Sequence, residues 1–183
     1  MTTAVQPFSG TFAADREHSS FQAALRHMGV GSFRTGFDDV EARLEPDANG
    51  HRLSGRASVR SIAIRRPAEF RAHVVEGAEF FDARNHPEIT FGSRDLTFGG
   101  DGTIELEGTL TMRGVERAIA ARGTYRAPIE DIFGQRRAAI DLVASIDRRD
   151  WGMDFQTQLP AGGDVLSWEV EISVHLELVE QDG

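Results

Sequence analysis

The chain of 183 residues carries 20 basic and 29 acidic residues, a net charge of −9, and no cysteine. This acidity argues against a nucleic-acid backbone or an anionic membrane surface as the main partner, because both require basic surfaces. Without cysteine there is no disulfide, thiolate nucleophile or cysteine-ligated metal, and since every basic residue is arginine, a Schiff-base or P-loop lysine is excluded as well.

The start of the chain and its length set expectations about location and organisation. Residues 1–8 lack the basic and apolar regions of a secretory signal, and no stretch approaches the roughly 20 apolar residues that span a bilayer. We therefore expect a cytoplasmic protein without a membrane span, periplasmic or secreted only if a leader was removed. Because no linker or repeat interrupts the sequence, residues 1–183 are expected to form one domain.

The first long predicted strand begins at Phe21. Phe21, Leu25 and His27 lie at odd positions and share one face, whereas Gln22 and Arg26 occupy the other. His27 therefore points to the interior, either as a buried core histidine or as a histidine that contacts a bound molecule.

The two arms that follow change the parity of their apolar residues. In the arm from Phe33 the change falls between Phe37 and Val40, and in the arm that returns from the turn at 47–50 it falls before Ile62. Matching changes in two adjacent strands indicate bends or bulges in a strongly coiled sheet that closes on itself.

One helix is predicted, over 66–77. Pro67 lies in its first turn, Phe70 and Val74 are one turn apart, and Gly77 ends it.

An aromatic pair, Phe80 and Phe81, follows the predicted helix. Pro87 then keeps the chain extended as it leaves the next turn. Ile89 and Phe91 alternate with polar or small residues, which predicts a half-buried strand at the rim of a barrel or sandwich.

The rest of the chain alternates more regularly, with apolar residues at every second position of each predicted strand. The final strand is the clearest, with Leu166, Trp168, Val170, Ile172, Val174, Leu176 and Leu178 on one face. About eight strands joined mainly by turns, with no βαβ rhythm, predict an all-β fold: a single antiparallel barrel of roughly eight strands with one short helix inserted. A sandwich is the alternative.

Common catalytic and metal-binding motifs are absent from the sequence. The six histidines form no HxH or HExxH pair, and there is no GxSxG elbow. Arg148 and Asp150 are interpreted as an ion pair that closes the barrel end, and Asp15 and His18 as neighbours that share a hydrogen bond. We expect no cofactor, no metal ion and no catalytic residue.

Small residues such as Ala121 and Ala144 recur at predicted inward positions among large apolar ones. An eight-stranded barrel encloses room for its own side chains or for one small ligand. The small residues predict an apolar tube, whereas the 12 phenylalanines leave a filled core as the alternative. Phe80, Phe81 and Trp151 fit either a packed rim or lids over a cavity.

Several motifs together carry a family resemblance. In chain order they are Phe12, Asp15, His18 and Phe21; Phe80-Phe81-Asp82 with Pro87, Ile89, Phe91 and Ser93; 108–117, which reads GTLTMRGVER; and Arg148, Asp150 and Gly152. Over nearly its whole length the chain resembles the YceI-like family. One departure lies in the predicted helix, where an aspartate and a histidine of the family pattern are replaced by Ala72 and Val74.

The resemblance implies a lipocalin-like antiparallel barrel whose long apolar pore holds an isoprenoid chain. Members are often periplasmic, some form dimers, and no catalytic residues are established for the family. We therefore expect non-enzymatic binding, carriage or storage of a long apolar lipid, isoprenoid or quinone-like, and a possible homodimer.

The candidate ligand-binding residues combine inward parity with this resemblance, and His27 and Arg148 are the polar members. They are Phe21, Leu25, His27, Val40, Ile62, Phe70, Phe80, Phe81, Phe91, Leu110, Met112, Ile119, Arg148, Trp151 and Trp168.

Two alternatives to lipid binding stay open. One is a hydrolase-type enzyme for a hydrophobic or amide substrate, with His27 or His86 as base. The other is a protein-interaction module whose rim, around Phe80 and Trp151, docks a partner.

Overall fold

The computed structural model describes residues 3–181, so residues 1, 2, 182 and 183 of the predicted domain lie outside it. Within this range the strands are β1 (Ala4–Val5), β2 (Phe12–Ala14), β3 (Ser20–His27), β4 (Gly31–Gly36), β5 (Val40–Asp47), β6 (Gly50–Ser58), β7 (Glu88–Gly99), β8 (Thr103–Met112), β9 (Val115–Glu130), β10 (Arg136–Asp147) and β11 (Glu169–Glu180). One α-helix, α1 (Ala68–Glu76), and two 3₁₀ helices (Val59–Ser61 and Arg148–Trp151) complete the elements. No described helix is both long and apolar enough to cross a membrane.

The sheet closes on itself. Its order is β10-β9-β8-β7-β6-β5-β2-β11, and β11 pairs back onto β10 from Arg137↔Val179 to Asp147↔Glu169. These eight strands form a ring in which each pair is antiparallel. The predicted eight-stranded antiparallel barrel is confirmed, and the sandwich alternative is wrong.

A hairpin stands beside this ring. β2 pairs with the last residues of β11, and β3 pairs with an earlier part of the same strand edge. β4 then pairs with β3. The predicted change of parity in this arm is a break between two strands, because β4 ends at Gly36 and β5 begins at Val40. In the returning arm the change is the 3₁₀ helix Val59–Ser61. A single bridge, Phe37↔Ile62, joins the two arms at this point.

One end of the barrel, called the closed end below, is filled by aromatic side chains. Phe8 packs edge-on against Phe12 at 5.4 Å between ring centroids and lies 4.9 Å from Phe98, which in turn contacts Tyr125. Phe12 and Ile140 are fully buried in this cluster. Close-packed rings leave no room for a ligand here.

The opposite end, called the open end, carries α1 and the tip of the β3–β4 hairpin. The helix matches the predicted one at 66–77, with Val74 and Val75 buried against the barrel. These valines pack with Ile62, Ile64 and Phe80 in a second apolar cluster. Burial of this apolar face stabilises a helix too short to persist alone.

The predicted start of the final strand is wrong. β11 begins at Glu169, and Trp168 lies before it rather than on its inward face. The indole ring faces two guanidinium groups instead, with Arg148 Cζ 4.3 Å and Arg149 Cζ 4.8 Å from its centroid. Two cation–π contacts therefore hold this side chain outside the alternating pattern.

Arg137 of β10 joins three segments near the closed end. It donates to Asp15 Oδ2 at 2.9 Å, Asp131 Oδ2 at 2.7 Å and Glu177 Oε1 at 2.6 Å. This guanidinium, followed by His18 at 3.0 Å, lowers the pKa of Asp15 from 3.8 to about 2. The predicted contact between Asp15 and His18 is confirmed, and Asp15 contributes to stability through its charged form.

The closed-end cluster predicts a large loss of stability on truncation. Phe12→Ala is expected to lower the free energy of unfolding by about 3–5 kcal/mol, because it removes a fully buried ring and leaves a cavity. Phe133→Ala is the matched control, since that ring is 79% exposed, and it is expected to change stability by less than about 0.5 kcal/mol. Urea unfolding measures both values, and equal effects would contradict this account of the core.

The lowered pKa of Asp15 predicts that the protein loses stability in acid. Its pKa is lower in the folded protein, so its contribution is complete above pH 3.8 and is lost as pH falls through about 2. Because the carboxylate is partly exposed, we expect about 1–2 kcal/mol. The free energy of urea unfolding should fall more steeply with acidification in the wild type than in Asp15→Asn, and parallel curves would count against the Arg137 contact.

Candidate functional site

A cavity of about 860 Å³ occupies the barrel between the closed-end cluster and α1. Its deep end rests on Leu53, Leu106, Leu142 and Leu176, which belong to the closed-end cluster. Its middle is bordered by small side chains, including Ala121 and Ala144. The predicted apolar tube is therefore present above a filled end.

The cavity opens beside the β3–β4 hairpin. Val30, at the hairpin tip, lines the cavity and is 92% exposed, and Arg66 and Pro67 at the start of α1 also line it and are exposed. Phe33 and Phe70 also line the cavity here and pack edge-on against each other, with ring centroids 5.9 Å apart. Val30 was not identified from the sequence; a valine amid glycines was the available signal.

Most of the predicted ligand-binding residues line this one cavity. They are Phe21, Leu25, His27, Ile62, Phe70, Phe80, Phe81, Phe91, Leu110, Met112, Ile119 and Arg148. Contact with a ligand stays a prediction at each of these positions.

Three predicted residues lie outside the cavity lining. Val40 is buried at the start of β5, directly after the strand break, and its cross-strand partner Ala57 lines the cavity instead. Trp151 is only 2% exposed and its indole Nε1 donates to the carbonyl oxygen of Leu110 at 3.2 Å, so it packs behind the wall. Trp168 lies against the arginines before β11.

The aromatic pair after α1 covers the cavity from the open end. Phe80 stacks on Phe155 with ring centroids 4.7 Å apart, and His73 packs edge-on against both rings. Phe81 packs edge-on against Phe37 at 6.0 Å. Both phenylalanines of the pair line the cavity, so they form part of its cover as well as the packed rim.

The departure from the family pattern in α1 makes the cavity more apolar. Val74, where the pattern has a histidine, is buried and lines the cavity. Arg71 ties the helix to the preceding segment, since its Nε donates to the carbonyl oxygen of Ile62 at 3.3 Å and its Nη2 donates to that of Arg60. His73 Nε2 lies 2.6 Å from Glu79 Oε1, and this contact lowers the pKa of Glu79.

The predicted ion pair between Arg148 and Asp150 is wrong. The described ion pair of this turn joins Arg149 to Asp147, with Nη2 2.5 Å from Oδ2. Arg148 is 4% exposed and donates to main-chain carbonyl oxygens, from Nε to Ser167 at 3.0 Å and from Nη1 to Met153 at 2.6 Å. Burial lowers the pKa of Arg148.

The histidines that contact carboxylates are not part of the cavity lining. His18, His73 and His175 contact Asp15, Glu79 and Asp141, and none of these three rings lines it. His27 lines the cavity, and no described carboxylate hydrogen-bonds to its ring.

The aromatic rim of the interaction-module alternative is packed inward. Phe80 and Trp151 are both buried, which counts against their forming a docking surface.

Several known proteins match this chain along most of its length. A UPF0312 protein of Staphylococcus aureus is 23% identical over 171 residues, covering 91% of this chain and 95% of that protein. The crystal structure of Burkholderia cenocepacia BcnA matches with a TM-score of 0.72 at 21% identity, over 92% of this chain and 99% of the other.

A second solved structure has the same fold. It is a polyisoprenoid binding domain from Saccharophagus degradans, with a TM-score of 0.62 at 11% identity, over 93% of this chain and 98% of that domain. The family model described as YceI-like domain matches residues 12–178, which include the whole ring of eight strands except the last two residues of β11. The chain therefore belongs to the YceI-like domain family.

Proposed function

We propose that this protein binds a long apolar molecule, an isoprenoid or quinone-like chain, inside the barrel and carries or stores it without chemical change. The observation that carries the proposal is the cavity of about 860 Å³, walled mainly by apolar side chains and open at one end. Ligand sites in proteins commonly span about 300–1,000 Å³ and are mostly apolar.

The shape and chemistry of the cavity suit a chain more than a compact polar substrate. Burial of a hydrocarbon chain contributes about 0.8 kcal/mol per CH₂ group before the cost of ordering it. The wall residues supply apolar contact along the barrel axis, from Phe33 and Phe70 at the mouth to Leu142 and Leu176 at the deep end.

The comparisons with known proteins also support binding of a long apolar molecule. The Saccharophagus degradans domain is described as binding polyisoprenoids, and it shares this fold. The absence of a carboxylate hydrogen-bonded to the cavity histidine, among the described residues, favours binding over hydrolysis. A cytoplasmic location and a homodimer stay predictions from the sequence.

Obstructing the middle of the cavity tests the proposal. Ala144→Phe places a ring in the cavity, and we expect it to weaken binding of phytane, a branched isoprenoid hydrocarbon, at least about tenfold. Val143→Phe is the matched control, because this neighbour on β10 is 47% exposed on the outer face and should bind like the wild type. Displacement of a fluorescent apolar dye measures the affinity.

Circular dichroism during heating establishes that both variants are folded at the assay temperature. The proposal is wrong if the folded Ala144→Phe variant binds phytane as tightly as Val143→Phe, or if the wild type does not bind phytane.

A further inference from the structure

Arg148 is the buried charged residue on the cavity wall. It follows β10 at the open end of the barrel and begins the 3₁₀ helix Arg148–Trp151. Its side chain is 4% exposed and lines the cavity. A buried guanidinium needs partners for its N–H groups, because an unmet charged donor is costly in an apolar surrounding.

Among the described residues, only two of the three guanidinium nitrogens have hydrogen-bond acceptors. Nε and Nη1 donate to the carbonyl oxygens of Ser167 and Met153, and Cζ lies over the Trp168 ring, 4.3 Å from its centroid. Nη2 is buried and has no hydrogen-bond partner among the described residues. Three contacts thus position the group and leave Nη2 without an acceptor within residues 3–181.

No described carboxylate forms an ion pair with Arg148. Asp147 is taken by Arg149 at 2.5 Å, and Asp154 and Asp164 act on Arg148 only through longer-range attraction. Native structures leave few buried donors without a partner, and those that remain call for an explanation such as a bound group. An acceptor from a bound molecule would complete the set here.

The position of Arg148 suits one end of an amphiphilic molecule. Ser167, its acceptor, follows Leu166, which bridges to His27 of β3, so His27 and Arg148 flank the same segment. Both side chains line the cavity near its mouth. The deep end is formed by leucines, so these two polar side chains lie toward the mouth end of a largely apolar cavity.

We propose that Arg148 determines ligand specificity: its Nη2–H donates to an oxygen acceptor, a carboxylate or a carbonyl, at one end of the bound chain. The hydrogen bond orients the ligand, with its oxygen near the mouth and its hydrocarbon chain toward the closed end. This inference rests on the proposed function and adds that the protein recognises an oxygen at one end of the ligand.

Three ligands with one hydrocarbon skeleton test the inference: phytanic acid, methyl phytanate and phytane. Arg148→Met removes the guanidinium and keeps an unbranched apolar side chain. It should bind the acid, the ester or both at least about tenfold more weakly than the wild type, and phytane equally well, because a hydrogen bond to a charged group is lost. Comparing variants within each ligand cancels differences in water solubility.

Arg149→Met is the matched control, since Arg149 lies in the same turn and against the same Trp168 ring but does not line the cavity. It should bind all three ligands like the wild type. A loss confined to the acid identifies a carboxylate as the acceptor, and a loss for acid and ester identifies a carbonyl oxygen.

The inference is overturned if Arg148→Met weakens all three ligands equally or none of them. Wild-type protein that does not bind phytane refutes the proposed function itself. If Arg148→Met does not fold, the guanidinium N–H resonances of wild-type Arg148 take its place: they should shift with phytanic acid or methyl phytanate and stay unchanged with phytane, and an unchanged spectrum with all three bound overturns the inference.

Discussion

The pairing of β10 with β11 is the interaction on which the rest of the structure depends. This ladder closes the ring, and β11 uses its other edge for β2 near the closed end and for β3 near the open end. A shift of one residue in its register would turn Val170, Ile172 and Leu176 away from the interior. The same ladder therefore fixes the closure, the position of the β3–β4 hairpin and the apolar wall of the cavity.

The cavity is left where small side chains interrupt the large ones on the inner wall of the barrel. Phe8, Phe12 and Phe98 fill the closed end, whereas Ala121 of β9 and Ala144 of β10 line the cavity beside larger side chains. The strands cannot move inward to close this space, since the backbone of the ring is held by its hydrogen bonds. The 12 phenylalanines are thus compatible with a hollow barrel.

Features that depend on local periodicity were predictable from the sequence. The alternation of β8 and the inward face of β3, including His27, follow directly from the spacing of apolar residues. The errors concern contacts between distant segments. Trp168 leaves the pattern because two arginines stack on it, and the partners of Arg148 are carbonyl oxygens, which every residue has and no sequence motif marks. The position of the cavity mouth was not predicted for a similar reason. Val30 lines the mouth only because α1 lies opposite the hairpin, and local sequence does not indicate that arrangement.

The one-sided pairing of β4 separates the mouth from the ring mechanically. β4 forms its ladder with β3 alone, and among the described residues its far side is tied to the returning arm only near Gly36, through the hydrogen bond from Ala63 N–H and the adjoining Phe37↔Ile62 bridge. Segments with few hydrogen bonds open at a lower free energy than the strands of a closed core. The hairpin tip, with Val30, is therefore held by contacts outside the eight-stranded ring: Met28 N–H donates to the carbonyl oxygen of Val165, and Phe33 packs edge-on against Phe70 of α1. Rearrangement of these contacts would leave every ladder of the eight-stranded ring intact.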